Sequence, residues 1–281
     1  MELKKPILEV RDFAVNFKQY GKGLHHKDVQ VISNFTLDLY PGEILAIVGA
    51  SGSGKSLLAH AILGILPANA YTSGSIKYKG EELTPKKKEA LRGREISLIP
   101  QSISYLDPLM KTGHQIASPL HTAKNSVKNI MKRFQLAESV EHKYPFQLSG
   151  GMARRVLIGT ALTSGAQLII ADEPTPGLHK SMVEESLSSL KELANTGCGV
   201  LMITHDIDLA FIIADKIAVF NKGVSVEIAD ARLFEASPDN VVHPYSKALW
   251  HALPQNGFHS IRGKDYGNYI DVVQHMEDSE R

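Results

Sequence analysis

Only one cysteine, Cys198, and one tryptophan occur in the 281 residues, so neither an internal disulfide framework nor a cysteine-rich metal cluster is open to the chain. A reducing, cytosolic setting is the expectation. Charge of one sign is missing as well: 31 basic side chains stand against 30 acidic ones. That balance removes the electrostatic case for binding nucleic acid or a strongly anionic surface. Long hydrophobic runs are absent. The longest are strand-length and broken by Gly, Asp or Thr, and Met1 to Val10 alternates charged with apolar residues where a signal peptide would have a continuous apolar core. No segment is expected to span a membrane by itself. The twelve histidines are scattered without metal-ligand spacing, and the adjacent His25 and His26 sit in a Gly/Lys-rich stretch that reads as a solvated loop. What the chain does have is 43% hydrophobic residues, enough to fill a core as one large domain or one domain with an insertion.

The pattern of those residues changes along the chain. Leu8, Val10, Phe13, Val15 and Phe17 alternate as a strand does, and after Tyr20-Gly21-Lys22-Gly23 a second alternating run follows through Phe35, Leu37 and Leu39. This reads as an antiparallel β opening. Ile44 to Val48 is instead continuously apolar, as are Ile96 to Ile99 with one serine, Leu168 to Ala171, and Gly199 to Ile203. Such runs are expected of strands buried on both faces. Helical periodicity from about Gly54 to Leu63 and from Val183 to Leu193 alternates with them, predicting an α/β fold: a mainly parallel sheet with helices on both faces. Ser102 to Thr163 lacks buried strands and has helical patterns around Val127 to Leu136 and Met152 to Leu162, so residues 102–163 read as a helical insertion. The expected division is a core of 1–101 and 164–235, that insertion, and a C-terminal part, 236–281, with a helix near Val241 to Ala252 and a polar tail from Asn256.

Between the Ile44–Val48 run and the helix after it stands Gly49-Ala50-Ser51-Gly52-Ser53-Gly54-Lys55-Ser56, a full match to G-x-x-x-x-G-K-[ST] in the strand–loop–helix setting the motif requires. Glycines let the backbone close around a phosphate, and Lys55 reaches its terminal oxygens. The Ser56 hydroxyl can ligate Mg²⁺, while Leu57 continues the loop into the helix. A hydrolase also needs acid groups. Asp172 ends an apolar strand where a Mg²⁺-associated carboxylate belongs, and Glu173 follows as a general base for the attacking water. A Gly/Ser loop with a stray lysine, or a solvated Asp-Glu strand end, is the ordinary reading of each piece alone; together they are specific for a P-loop NTPase of RecA-like type.

A second anion site is encoded at Leu148-Ser149-Gly150-Gly151-Met152, which opens a helix with Ser149 and two glycines at its N-terminus. With this pair of phosphate-binding motifs the sequence resembles the ATP-binding cassette (ABC) family over nearly everything from Leu8 to Phe258. The resemblance implies ATP and Mg²⁺ as ligands and a facing subunit whose ATP is contacted by Ser149, Gly150 and Gly151. It implies that Phe17, or else Tyr20, stacks on adenine; a buried strand phenylalanine is the competing reading of Phe17. It further implies that Gln101 touches Mg²⁺ and the attacking water, and that His205 contacts the γ-phosphate. One position departs: Pro176-Gly177-Leu178-His179 puts His179 where the family has Asp.

Within the family, Pro100-Gln101-Ser102 with Tyr105-Leu106-Asp107-Pro108 and Gly113-His114-Gln115-Ile116, Met152, and the stretch His243-Pro244-Tyr245-Ser246-Lys247-Ala248-Leu249 with Ala252-Leu253-Pro254 resemble the dipeptide/oligopeptide/nickel uptake branch. That resemblance implies a transport ATPase held peripherally on the cytoplasmic face of the cell membrane. Its implied partners are two membrane permease subunits, an extracytoplasmic substrate-binding protein and a second ATPase subunit. His179 points to that second subunit being a different, homologous chain. The alternatives are a soluble non-transport cassette ATPase and a regulatory nucleotide sensor.

Overall fold

The computed structural model describes residues 5–20, 26–117 and 124–251. The tail from Asn256 and the first histidine of the His25–His26 pair lie outside them. The chain begins with β1 (Leu8–Tyr20) and β2 (His26–Leu39), then β3 (Ile44–Val48), α1 (Lys55–Leu63), β4 (Ala70–Tyr78), β5 (Glu81–Glu82), α2 (Pro85–Leu91) and β6 (Ile96–Ile99). Two sheets form. The first is antiparallel, with order β2-β1-β4-β5, and pairs Phe17 of β1 with Val29 on one side and Ala70 on the other. Its third strand, β4, has no legible apolar alternation: Ala70 to Ser75 is largely exposed, and only Ile76 and Tyr78 reach the core.

Next come α3 (Thr112–Ala117), α4 (Lys124–Arg133) and α5 (Gly150–Leu162) with three short 3₁₀ turns, and residues 102–163 hold no strand among those described. The chain continues through β7 (Leu168–Asp172), α6 (Lys180–Asn195), β8 (Gly199–Thr204), α7 (Ile207–Ile213), β9 (Lys216–Asn221) and β10 (Val224–Asp230), and the described residues end with α8 (Ala231–Ala236) and α9 (Pro244–His251). The second sheet has order β10-β9-β3-β8-β7-β6. All neighbours are parallel except the β9–β10 hairpin at one edge, which the sequence reading did not anticipate.

The continuous apolar runs sort by parity, as strands covered on both faces must. Ile44, Ala46 and Val48 pack with residues of α5, α6 and α7 on one face, while Leu45 and Ile47 pack with α1 and the antiparallel sheet on the other. The second face is thus covered by one helix and a sheet, where the sequence pattern predicted helices on both. Phe220 of β9 meets Phe35 of β2 edge to face at 5.6 Å, pinning the two sheets together. Both rings are buried, so Phe220→Ala would cost about 3–5 kcal/mol. The parallel strands β3, β7 and β8 therefore end side by side, and the loops after them share one crevice.

Candidate functional site

The loop after β3 is shaped by its neighbours. A Cβ on Gly49 would stand 2.0 Å from the Phe220 carbonyl oxygen of β9, so only glycine fits. Gly52 and Gly54 hold φ of 80° and 101°, the left-handed region where a side chain is strained. The turn delivers Lys55 into the loop's own centre. Its Nζ donates to the carbonyls of Gly49 and Ala50, both at 2.8 Å, and to Ser53 Oγ at 3.4 Å. Burial pushes the Lys55 ammonium below its ordinary pKa, while Glu173 and Asp172 draw it back up. A cation held by neutral carbonyls in a partly dehydrated loop is ready to exchange them for an anion.

Facing the loop is the end of β7. Ser56 Oγ donates to Asp172 Oδ1 at 3.0 Å, joining residues 116 positions apart. Asp172 is buried and has no ion-pair partner among the described residues. Burial raises its pKa, opposed by the Ser56 hydrogen bond. The next residue, Glu173, is bent into the left-handed region at φ 47°, at a cost of about 1–3 kcal/mol for a side chain of this kind. Its carboxylate is fixed by β8: Oε1 accepts from the His205 N–H at 3.0 Å and pairs with His205 Nδ1 at 2.7 Å, and Oε2 accepts from Thr204 Oγ1 at 3.5 Å. An ionised carboxylate has no proton to give, so His205 Nδ1 is the donor. The imidazole is otherwise half-exposed.

One cleft collects Ser51, Gly52, Gly54, Lys55, Ser56, Leu57, Gln101 and Glu173, with Val31 from the antiparallel sheet. Phe17 does not line it. It is half-buried on β1, packed against the second core, and the Tyr20 side chain lies outside the described residues. Ser149, Gly150 and Gly151 are also elsewhere. Ser149 caps α5, its Oγ accepting from the Met152 N–H at 3.3 Å, and both Ser149 and Gly150 are exposed. Gly150 has no internal reason to be glycine: its φ is ordinary, and a Cβ would meet nothing within 4 Å. His179 occupies the N-cap of α6 without capping it; its Nδ1 lies 2.9 Å from Ser181 Oγ instead.

Sequence reasoning missed Arg154. This guanidinium is buried, donates from Nη1 to the Pro100 carbonyl at 2.5 Å and from Nη2 to the Gln101 carbonyl, and leaves Nε without a partner. Burial lowers its pKa, and Asp172 and Glu173 raise it. Nothing in the spacing of Arg154-Arg155 marks one of the two as buried.

A glycine-shaped loop cradling a lysine, with a carboxylate pair at the end of β7, one strand away from β3 in the same parallel sheet, is the arrangement of the P-loop class. The family model described as ABC transporter matches residues 32–176. The chain belongs to that family. It is 34% identical to an oligopeptide transport ATP-binding protein of Bacillus subtilis, covering 88% of this chain and 72% of that protein. It is 36% identical to a dipeptide transport ATP-binding protein of Lactococcus lactis, covering 89% and 74%. An oligopeptide transport ATP-binding protein of Streptococcus pneumoniae is 34% identical, covering 96% and 80%. Among solved structures, a dimeric bacterial ABC transporter cassette superposes with a TM-score of 0.69 at 25% identity, covering 80% of this chain and 99% of that one. The fold is also that of a dimeric ATP-binding cassette in a post-hydrolysis state bound to ADP and Pi, with a TM-score of 0.70, 24% identity and the same coverage.

Proposed function

We propose that this chain is the ATP-binding and ATP-hydrolysing subunit of a membrane importer, energising uptake of di- or oligopeptides from the cytoplasmic face of the membrane. The observation that carries the reading is the joining of Ser56 to Asp172 and of Glu173 to His205 around the loop that holds Lys55. Ser56, Asp172 and Gln101 offer oxygen donors, and the buried Asp172 has no ion pair among the described residues, which fits Mg²⁺. When bound, that ion neutralises charge on the phosphates.

The rest falls to the chain's own residues. Lys55 leaves the Gly49 and Ala50 carbonyls for the terminal phosphates, and the loop N–H groups hold the phosphates in line. Glu173, fixed by Thr204 and His205, accepts the proton of the attacking water. As the imidazolium, His205 donates Nδ1–H to Glu173 and Nε2–H to the γ-phosphate. The adenine contact we assign to Phe17, half-buried on β1 outside the phosphate cleft.

The site is half a machine. An exposed Gly150 in the first turn of α5 is unfavourable by roughly 0.5 kcal/mol relative to alanine, with no contact of its own to offset it. A phosphate of a facing subunit's ATP gives it a purpose, since only a glycine lets that anion approach the backbone. A Cβ at Gly151 would come 3.5 Å from the Gly177 carbonyl, so the loop leading to His179 lies beside that surface. Its uncapped histidine supports pairing with a different, homologous subunit. The membrane subunits dock on the insertion, where Ile103, Tyr105, Leu109 and Phe146 are exposed, the first two just after Gln101 in the chain. No described helix is long and apolar enough to cross a membrane. Cargo is selected by the permeases and a binding protein; the named relatives favour peptides over nickel.

Reconstitution of the full transporter with its binding protein in vesicles tests this. ATP-dependent accumulation of a labelled oligopeptide is expected; ATP hydrolysis without peptide accumulation would overturn the cargo, and no hydrolysis would overturn the motor.

A further inference from the structure

We infer that Arg154 is a positioning residue that ties the backbone of the Gln101 loop to the helix bearing Ser149-Gly150-Gly151, so that the state of one ATP site is transmitted to the surface offered to the other. The inference rests on the proposed ATPase reading. Arg154 lies in α5 five residues after its cap, about 7 Å along the axis. It donates to the carbonyls of Pro100 and Gln101, the two residues that follow β6 and lead into the cleft. Its neighbour Arg155 faces the other way, with Nη1 donating to the Phe134 carbonyl at 2.8 Å just past α4. α5 is thus bolted to the nucleotide-binding core by one arginine and to the insertion by the other.

Three features set Arg154 apart from a simple structural strut. It is 6% exposed yet has no carboxylate in an ion pair among the described residues. Its Nε remains an unmet buried donor. Both of its acceptors are backbone atoms of the loop whose side chain, Gln101, lines the cleft with Glu173 and Lys55. A displacement of Gln101 on nucleotide binding pulls on Arg154, and a rigid helix carries that displacement to Ser149 and the two glycines. The guanidinium also lies within electrostatic reach of Asp172 and Glu173. The loop it holds is therefore tied to the charge of the same site.

The experiment uses the assembled transporter carrying Arg154→Met, Arg154→Lys or Arg154→Gln, with Arg155→Lys as the comparison on the opposite side of α5. Turnover is measured against ATP concentration, and a fluorescent ATP analogue is titrated onto the purified complex. Arg154→Met is expected to lower kcat about tenfold with KM and analogue affinity within about twofold, the size of effect seen when a coupling contact outside the ligand site is cut. Arg154→Lys, which keeps the charge but offers a single donating nitrogen in place of the fork, is expected to restore part of that loss. Arg155→Lys should lower thermal stability more than kcat. Unchanged kcat in Arg154→Met overturns the inference, as does a loss of analogue affinity in step with kcat. If Arg154→Met does not fold, the lysine and glutamine variants decide by the same kcat-against-KM criterion. Wild-type complex that neither binds the analogue nor hydrolyses ATP brings down the ATPase reading and this inference with it; wild-type turnover with an indifferent Arg154 brings down this inference alone.

Discussion

Gly150→Ala separates what the chain needs alone from what it needs with a partner. Gly150 is exposed in the first turn of α5 with an ordinary φ, and a Cβ there would meet nothing within 4 Å. Alanine therefore costs no strain and removes backbone freedom from the unfolded chain, a gain of roughly 0.5 kcal/mol at a helix end. For a domain of this size that is a rise in Tm of about 1–2 °C. The same methyl group stands where the backbone would meet a phosphate of the facing subunit's ATP, and removing one such anion-stabilising contact lowers turnover about a hundredfold. The assay pairs thermal melting of the isolated subunit with ATP turnover of the assembled complex. A variant that melts slightly higher yet hydrolyses far more slowly is the expected outcome. Unchanged turnover, or a lower Tm, would refute the reasoning that this glycine serves a partner.

Other perturbations test the remaining links. Gly49→Ala forces a methyl group to 2.0 Å from the Phe220 carbonyl, so β9 or the loop must move: a loss of about 3 kcal/mol and a fall in Tm of about 6–12 °C, with weakened ATP binding, is expected by melting and nucleotide titration. Burial raises the pKa of Asp172, so its favourable contribution is present below the ordinary value of 3.8 and lost as pH rises through the raised folded value. Asp172→Asn removes that loss; in nucleotide- and magnesium-free buffer its Tm should exceed wild type at pH 7, with the gap closing toward pH 4. His179→Asp places a carboxylate at the uncapped N-terminus of α6, which should add about 1 kcal/mol and raise turnover of the complex. No change in either would remove His179 from the argument for unequal sites.

The parts of the fold that could be read in the sequence were those in which one strand or helix explains its own residues. Ile44 to Val48, Leu168 to Ala171 and Gly199 to Ile203 are apolar because both faces are covered, and each became a strand of the parallel sheet. The phosphate loop was equally plain, since its glycines answer local backbone needs. β4 was not, because its partner β1 lies far away in sequence and only two of its nine residues, Ile76 and Tyr78, are buried. β10 has the same problem as an edge strand with mixed exposure. Arg154 was hidden because its acceptors are main-chain oxygens, which leave no trace in residue identity. The left-handed bend at Glu173 is invisible for a similar reason: side-chain type does not report the φ of 47° that turns the carboxylate toward Thr204 and His205.

The central claim is hydrolysis by this cleft, and Glu173→Gln tests it most directly. The amide is nearly isosteric with the carboxylate and keeps an oxygen for the His205 N–H, but it cannot take a proton from water. ATP turnover of the complete transporter containing wild-type chain should exceed that of the Glu173→Gln complex by about 10²–10⁴, with nucleotide still bound by the variant. Equal turnover of the two complexes, or wild-type activity no higher than that of Lys55→Ala, would contradict it.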